Sequence, residues 1–367
     1  MLAPTPFPLS LCGALIAALP AAELPWLSEV QTPPPSIPAD APALPPLLID
    51  DQGRAITTRQ AWLARRAELR EWWLMYLYGD EGREGLPTRE RCDLTPEVVS
   101  IERIGRVMRK LIRLQFEPGV FTEAYLLYPS EHKGRLPGVV VFHPTVDCTI
   151  RQPAGLEGPD SLQMGLHLAE RGFVALCPRC FIWDYAGKTT FGETIAELAR
   201  RHPTWRGMGK MVFDGSRAAD YLASVPFVDP HRLGCVGHSL GAKEALCVAA
   251  FDERFRAAVS SEGGIGLTFS NWDAPWYLGP DIRQPTFTHE NDEVLALIAP
   301  RAFLLLGGED ADGGRSWPFI AAAKLVCDLL GAGDRIGLLT HSSGHSFPPV
   351  AQECAYQWLE HFLRPPP

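Results

Sequence analysis

The chain has 367 residues, of which 46% are hydrophobic and 21% charged, a composition that can build one large core and is far from that of a disordered protein. Its formal charge of -9 and pI near 5.6, with no long run of Lys and Arg, exclude a phosphate-binding surface and therefore a nucleic-acid partner. No stretch reaches the roughly 18 apolar residues that an integral membrane segment needs, and the nine cysteines are scattered as small core residues, the one Cys-x-x-Cys pair, Cys177 and Cys180, lacking a second pair at zinc spacing.

Residues 1–22 read as a leader or structureless start. The apolar run 9–19 resembles a signal-peptide core and Pro20-Ala-Ala22 offers a cleavage site, but no Lys or Arg precedes Arg54, so export and a cytoplasmic location stay open alternatives. Residues 23–95 form a proline-rich arm followed by a helix over 59–78. Thr57 or Thr58 caps that helix, and Trp62, Leu69, Trp72, Trp73 and Leu77 give it one apolar face. The remainder, 96–367, reads as one domain. Alternating, β-rich segments at 98–104, 107–116 and 121–128, broken by Gly105 and by Pro118-Gly119, predict antiparallel strands at the N-terminal edge of a sheet. From residue 136 the pattern changes to short apolar runs at 139–142, 173–176, 233–236, 257–260, 302–306 and 336–339. Helical windows at 160–171, 209–224, 241–250, 317–330 and 350–363 separate them. Continuous apolar strands alternating with helices specify a mostly parallel central sheet buried on both faces and flanked by helices.

The third of these runs leads into Gly237-His238-Ser239-Leu240-Gly241, a strand, a sharp turn and a helix with serine at the tip. The turn forces the serine into a sparsely allowed backbone region, and the two glycines remove the collisions that side chains there would make. Strand order, this nucleophile elbow and a histidine loop near the C-terminus together specify an α/β-hydrolase fold, with 96–367 as its catalytic domain. A serine needs a base, and the base needs an acid to hold its tautomer; in this fold the chain order is serine, acid, histidine. His345, in His341-Ser-Ser-Gly-His345-Ser-Phe-Pro348, is the preferred base, with His341 a structural residue. His238 flanks the nucleophile and His143 ends a strand beside the site. Three carboxylates compete for the acid, in the order Asp312, Glu262 and Asp310: two follow the strand at 302–306 and Glu262 ends the strand before it. The oxyanion hole takes the amide of Leu240, at the helix N-terminus, and that of Thr145, since Pro144 has no N–H. Phe181, Trp183, Tyr185, Trp272 and Trp276 lie in loops near the serine and can wall a sugar ring or an aromatic acyl group.

The stretch from Asp214-Gly-Ser-Arg-Ala-Ala-Asp-Tyr-Leu222 through Val228-Asp-Pro-His-Arg-Leu-Gly-Cys-Val-Gly-His-Ser239 is similar to the dienelactone-hydrolase and acetyl-xylan-esterase branch of the α/β hydrolases. Lys243, Glu262-Gly-Gly264, Leu295-Ala-Leu-Ile-Ala-Pro-Arg301 and Gly344-His345-Ser-Phe-Pro348 resemble glucuronoyl esterases, and the likeness covers residue 136 to the C-terminus. The chain departs from those enzymes at Leu240, where they carry an arginine. The resemblance implies that Lys243 contacts sugar hydroxyls and that the acid can come from either loop. The expectation is a serine carboxylester hydrolase, without cofactor or metal, acting on short carbohydrate esters, acetyl or uronate, with Lys243, Trp272 and Trp276 bordering the pocket. A lactone or dienelactone hydrolase, a serine peptidase and an inactive binding module on a hydrolase scaffold are the alternatives.

Overall fold

The computed structural model describes residues 24–87, 92–183 and 190–363; the leader at 1–22 and Tyr185 lie outside the described residues. Its strands are β1 (Glu97–Ile104), β2 (Val107–Glu117), β3 (Val120–Pro129), β4 (Leu136–Phe142), β5 (Val174–Pro178), β6 (Val228–His238), β7 (Phe255–Ser261), β8 (Ala302–Gly307) and β9 (Ile336–Thr340). They make one sheet in the order β1-β2-β3-β5-β4-β6-β7-β8-β9. The first three strands pair antiparallel, as does β3 with β5, and every other pairing is parallel. The expected mostly parallel sheet with an antiparallel N-terminal edge is the architecture found.

Both faces are covered because the strand residues alternate between two cores. Val140 and Phe142 of β4, with Phe303 and Leu305 of β8, join one cluster. Val139 and Val141, with Leu304 and Leu306, join the other; this is the period-two alternation of a pleated strand with apolar residues on either side. The helices are α1 (Arg59–Tyr78), α2 (Met164–Glu170), α3 (Phe191–Arg201), α4 (Gly207–Ser224), α5 (Leu240–Phe251), α6 (Asn291–Ala296), α7 (Trp317–Leu329) and α8 (Pro349–Phe362). Buried residues of α1, α4, α5, α6 and α7 fill the first cluster, and those of α2 and α8 the second.

Helix α1 starts where Thr58 Oγ1 accepts the Ala61 amide at 3.2 Å, and its aromatic stripe docks on the body as its sequence suggested. Trp62 and Trp73 are buried in the shared core, Tyr78 donates to the Gly209 carbonyl at 2.6 Å, and Trp73 Nε1 donates to Glu293 at 2.8 Å. The start of the arm before it packs on the other face of the sheet, at the β9 edge: Trp26 stacks on Trp358 at 6.2 Å, and Val30 is buried against the backbone of Gly337 in β9. Two helices had no forecast. Helix α3 is started by a capping box between Thr190 and Glu193, a signal present in the sequence; α6 is six residues long, too short to show a period.

Candidate active site

Ser239 stands between β6 and α5 at φ 58° and ψ −117°, a region that a side-chain-bearing residue enters only when its surroundings hold it there. The holding parts are visible. Its amide donates to the Ser261 carbonyl at 2.8 Å, tying the elbow to β7. A Cβ on Gly237 would collide with the Gly241 carbonyl, and one on Gly241 with the Phe142 carbonyl of β4. Ser239 is the N-cap of α5, so Leu240 is the first residue of the helix and its N–H has no acceptor within it. The helix dipole adds partial positive charge at the same point.

The loops after β7, β8 and β9 converge beside this elbow. His345 Nδ1 lies 3.4 Å from Glu262 Oε2, whose side chain is 0% exposed, and 3.6 Å from Asp310 Oδ2, whose side chain is 60% exposed. The ring of His238, next to the serine, packs 4.9 Å from that of His345. Burial pushes the Glu262 carboxyl up, but the contact with His345 and the amides of Gly308 and Ala311 outweigh it and leave the acid below its ordinary value. Glu262 also has φ 55°, a second strained non-glycine residue within the same few ångströms of chemistry.

Asp312, the first choice for the acid from sequence, is placed elsewhere. Its side chain is 0% exposed and takes the amides of Gly264 at 2.7 Å and Ile265 at 2.8 Å, with the Ser316 hydroxyl at 2.8 Å. The two loops are thereby clamped reciprocally. The β7 loop offers its amides to Asp312 of the β8 loop, and the β8 loop offers the amides of Gly308 and Ala311 to Glu262 of the β7 loop. Sequence put acids on both loops but could not say which amides would claim which carboxylate.

Three residues expected to border substrate have other occupations. Lys243 is 3% exposed; its Nζ donates to the Gly263 carbonyl at 2.5 Å and to Ser270 Oγ at 3.0 Å, beneath the Trp272 and Tyr277 rings at 5.3 and 5.2 Å. Burial lowers its pKa to about 8. Trp272 is 0% exposed and donates Nε1 to the Gly264 carbonyl at 2.6 Å, so it is a loop core and offers no wall. Trp276 is half-buried and packs edge-on against Phe191 at 5.5 Å. Thr145 is exposed in the loop after β4. His143 is buried, with Nδ1 donating to the Pro144 carbonyl at 2.7 Å and Nε2 accepting from the Cys180 amide at 3.1 Å; this fixes a neutral tautomer, and burial lowers its pKa to about 4. His341 is buried with both ring nitrogens unpartnered among the described residues, beside Gly308, and makes no contact that would let it act as the base. Sequence reasoning missed Gly308, Ala311 and Ser261, whose parts are played by backbone groups and leave no residue-type signature.

Cys177 and Cys180 are both free, without a cross-link between them. No helix among the described residues is long and apolar enough to cross a membrane.

Residues 122–296 match the Dienelactone hydrolase family. The protein YtaP of Bacillus subtilis (strain 168) is 27% identical over 316 residues, covering 81% of this chain and 100% of that protein. Among solved structures, a glucuronoyl esterase from Solibacter usitatus is similar at a TM-score of 0.70 and 19% identity, over 89% of this chain and 98% of that one. A CE15 glucuronoyl esterase from Teredinibacter turnerae T7901 is similar at a TM-score of 0.67 and 19% identity, over 86% and 88%. Residues 122–296 are therefore a Dienelactone hydrolase family domain, and the chain as a whole has the α/β-hydrolase fold.

Proposed function

We propose that the protein is a serine carboxylic ester hydrolase with Ser239 as nucleophile, His345 as base and Glu262 as the acid. The observation that carries this is the convergence on one strained serine, at φ 58°, of a histidine loop whose Nδ1 faces a buried carboxylate at 3.4 Å. Glu262 accepts from Nδ1–H and so leaves the other ring nitrogen, Nε2, unprotonated for the serine. Ser239 Oγ attacks the ester carbonyl carbon while its proton passes to Nε2. The Leu240 amide, with that of Thr145, meets the oxyanion; the C–O bond to the alcohol then breaks, and the histidine proton goes to the departing oxygen. Water, deprotonated by the same nitrogen, attacks the acyl-serine and releases the acid.

Esters carried on carbohydrate are the substrate class supported by the glucuronoyl esterases among the structural neighbours. The sequestered Nζ of Lys243 removes the argument for direct recognition of a uronate or sugar hydroxyl by that residue. A fluorophosphonate probe should label wild-type protein and not Ser239→Ala, and 4-nitrophenyl acetate should be hydrolysed only by the former. Cleavage of peptide anilides with no ester cleavage, or labelling that persists in Ser239→Ala, would defeat the reading.

A further inference from the structure

A cavity of about 180 Å³ opens at the C-terminal end of β5. Phe116, Phe181 and Trp183 wall it, and Thr122, Asp214 and Lys210 supply polar atoms. The strand order β6-β4-β5 puts this end of β5 two strand spacings from the elbow strand, or about 10 Å. Between them stands the β4 loop, and the cavity is joined to it directly. The Cys180 amide, on the cavity wall, donates to His143 Nε2, and the Trp183 ring lies 5.0 Å from that of His143.

The sheet order also fixes which part of an ester would point there. Glu262, Asp310 and His345 follow β7, β8 and β9, all on the far side of β6 from β5. A base that returns its proton to the leaving oxygen must face the alcohol, so the alcohol departs on that side and the acyl group extends toward β5.

The lining also selects among ligands. The three cations that line it among the described residues are already answered by carboxylates: Arg179 by Glu123, Arg201 by Glu117, and Lys210 by Glu117 and Asp214. Such a lining has no net attraction for an anion and suits a neutral, flat, apolar group. Asp214 spends Oδ1 on Lys210, and its Oδ2, without a hydrogen bond among the described residues, is left for a hydroxyl. Burial raises the Asp214 pKa to about 6, so at neutral pH it is an acceptor.

We infer that this cavity is the acyl-binding subsite of the enzyme and takes a hydroxylated aromatic ring on a three-carbon acyl chain, the hydroxyl meeting Asp214. Across the two strand spacings between β6 and β5, about 10 Å, a phenylpropenoyl or phenylpropanoyl group extends further than a benzoyl group, and an acetyl group does not cross them. The inference rests on the serine-esterase reading for its chemistry but not for its binding, so two measurements separate them.

The first is the ratio of kcat/KM for methyl 3-(4-hydroxyphenyl)propenoate to that for 4-nitrophenyl acetate, in wild type and in Thr194→Trp. Thr194 lines the cavity from half-exposed α3, so an indole there fills the space from a position the fold tolerates; Val120→Trp, from β3, is the second filling variant. The ratio should fall about tenfold or more in each. The second is calorimetric binding of the same methyl ester to Ser239→Ala, which should weaken about tenfold when Thr194→Trp is added, and several-fold when the ester lacks its ring hydroxyl. An unchanged ratio with unchanged binding overturns the inference, as does a loss confined to acetates of aryl alcohols, which would put the ring on the leaving-group side. Retained cavity-dependent binding in a protein that hydrolyses no ester would defeat the esterase reading and leave the subsite standing.

Discussion

Glu262→Gln keeps the size of the side chain but removes the charge facing His345 Nδ1, and kcat for 4-nitrophenyl acetate should fall on the order of 10⁴-fold. Asp310→Asn should stay within a few-fold of wild type, since its exposed carboxylate is 3.6 Å from the same nitrogen and takes no amide among the described residues. Asp312→Asn turns a donor toward the amides of Gly264 and Ile265; it should cost about 1–3 kcal/mol in urea unfolding, a larger fraction of its effect than any loss of kcat. A kcat ordering with Asp312 as the most damaging position would return the acid to that residue. Behind the serine, burial raises Glu244 to about 8, far above its value in an unfolded chain. The folded protein therefore holds a proton that the unfolded chain gives up at about pH 4.3, so this stabilising term is whole below that pH and is lost as pH rises toward 8. Glu244→Gln should flatten the decline of unfolding free energy between those limits, and a wild-type profile of the same slope as the variant would exclude it. Little of this residue-level detail was legible beforehand. An acid on each of two neighbouring loops is plain in the sequence, whereas the amides that distinguish them belong to backbone.

At the scale of elements, what could be read was what repeats. Each parallel strand is a continuous apolar run because it is buried on both faces, and α1 shows its stripe because that stripe is buried whole, as Trp62 and Trp73 are. Trp73→Ala should therefore cost about 3–5 kcal/mol, measured by chemical denaturation, with the lost Glu293 hydrogen bond included. Trp272 was misplaced for a related reason: a tryptophan in a loop has no period, and nothing in its neighbours distinguishes a rim from a core. Helix α3 stands at the other extreme, with most of its side chains outside the core. Thr190→Ala, which removes half of its capping box, should cost about 1 kcal/mol locally and show as faster amide exchange over Phe191–Arg201 rather than as a lower global midpoint.

For the whole molecule, the N-terminal arm joins opposite ends of the chain. Trp26 donates to Gln357 in α8 at 2.7 Å, and Val30 rests on β9, the strand that leads into the His345 loop. Its proline-rich sequence predicted an extended path and gave no hint of where it would lie, since a segment without periodicity makes contacts chosen by the surface it meets. Removing residues 1–36 should lower the unfolding midpoint by several degrees, because it uncovers Val30's site and one face of Trp358. The same truncation with an unchanged midpoint would mean that the arm is held by the body without stabilising it.

The reciprocal clamp between the β7 and β8 loops has a kinetic consequence. Gly264 and Ile265 donate to an acid on the other loop, and Gly308 and Ala311 donate back. None of the four amides can be released without uncovering a buried carboxylate, and freeing one pair loosens the loop that presents the other. Their protection against deuterium should therefore be lost in a single concerted opening with one shared free energy, and a substitution on either loop should shift all four by the same amount.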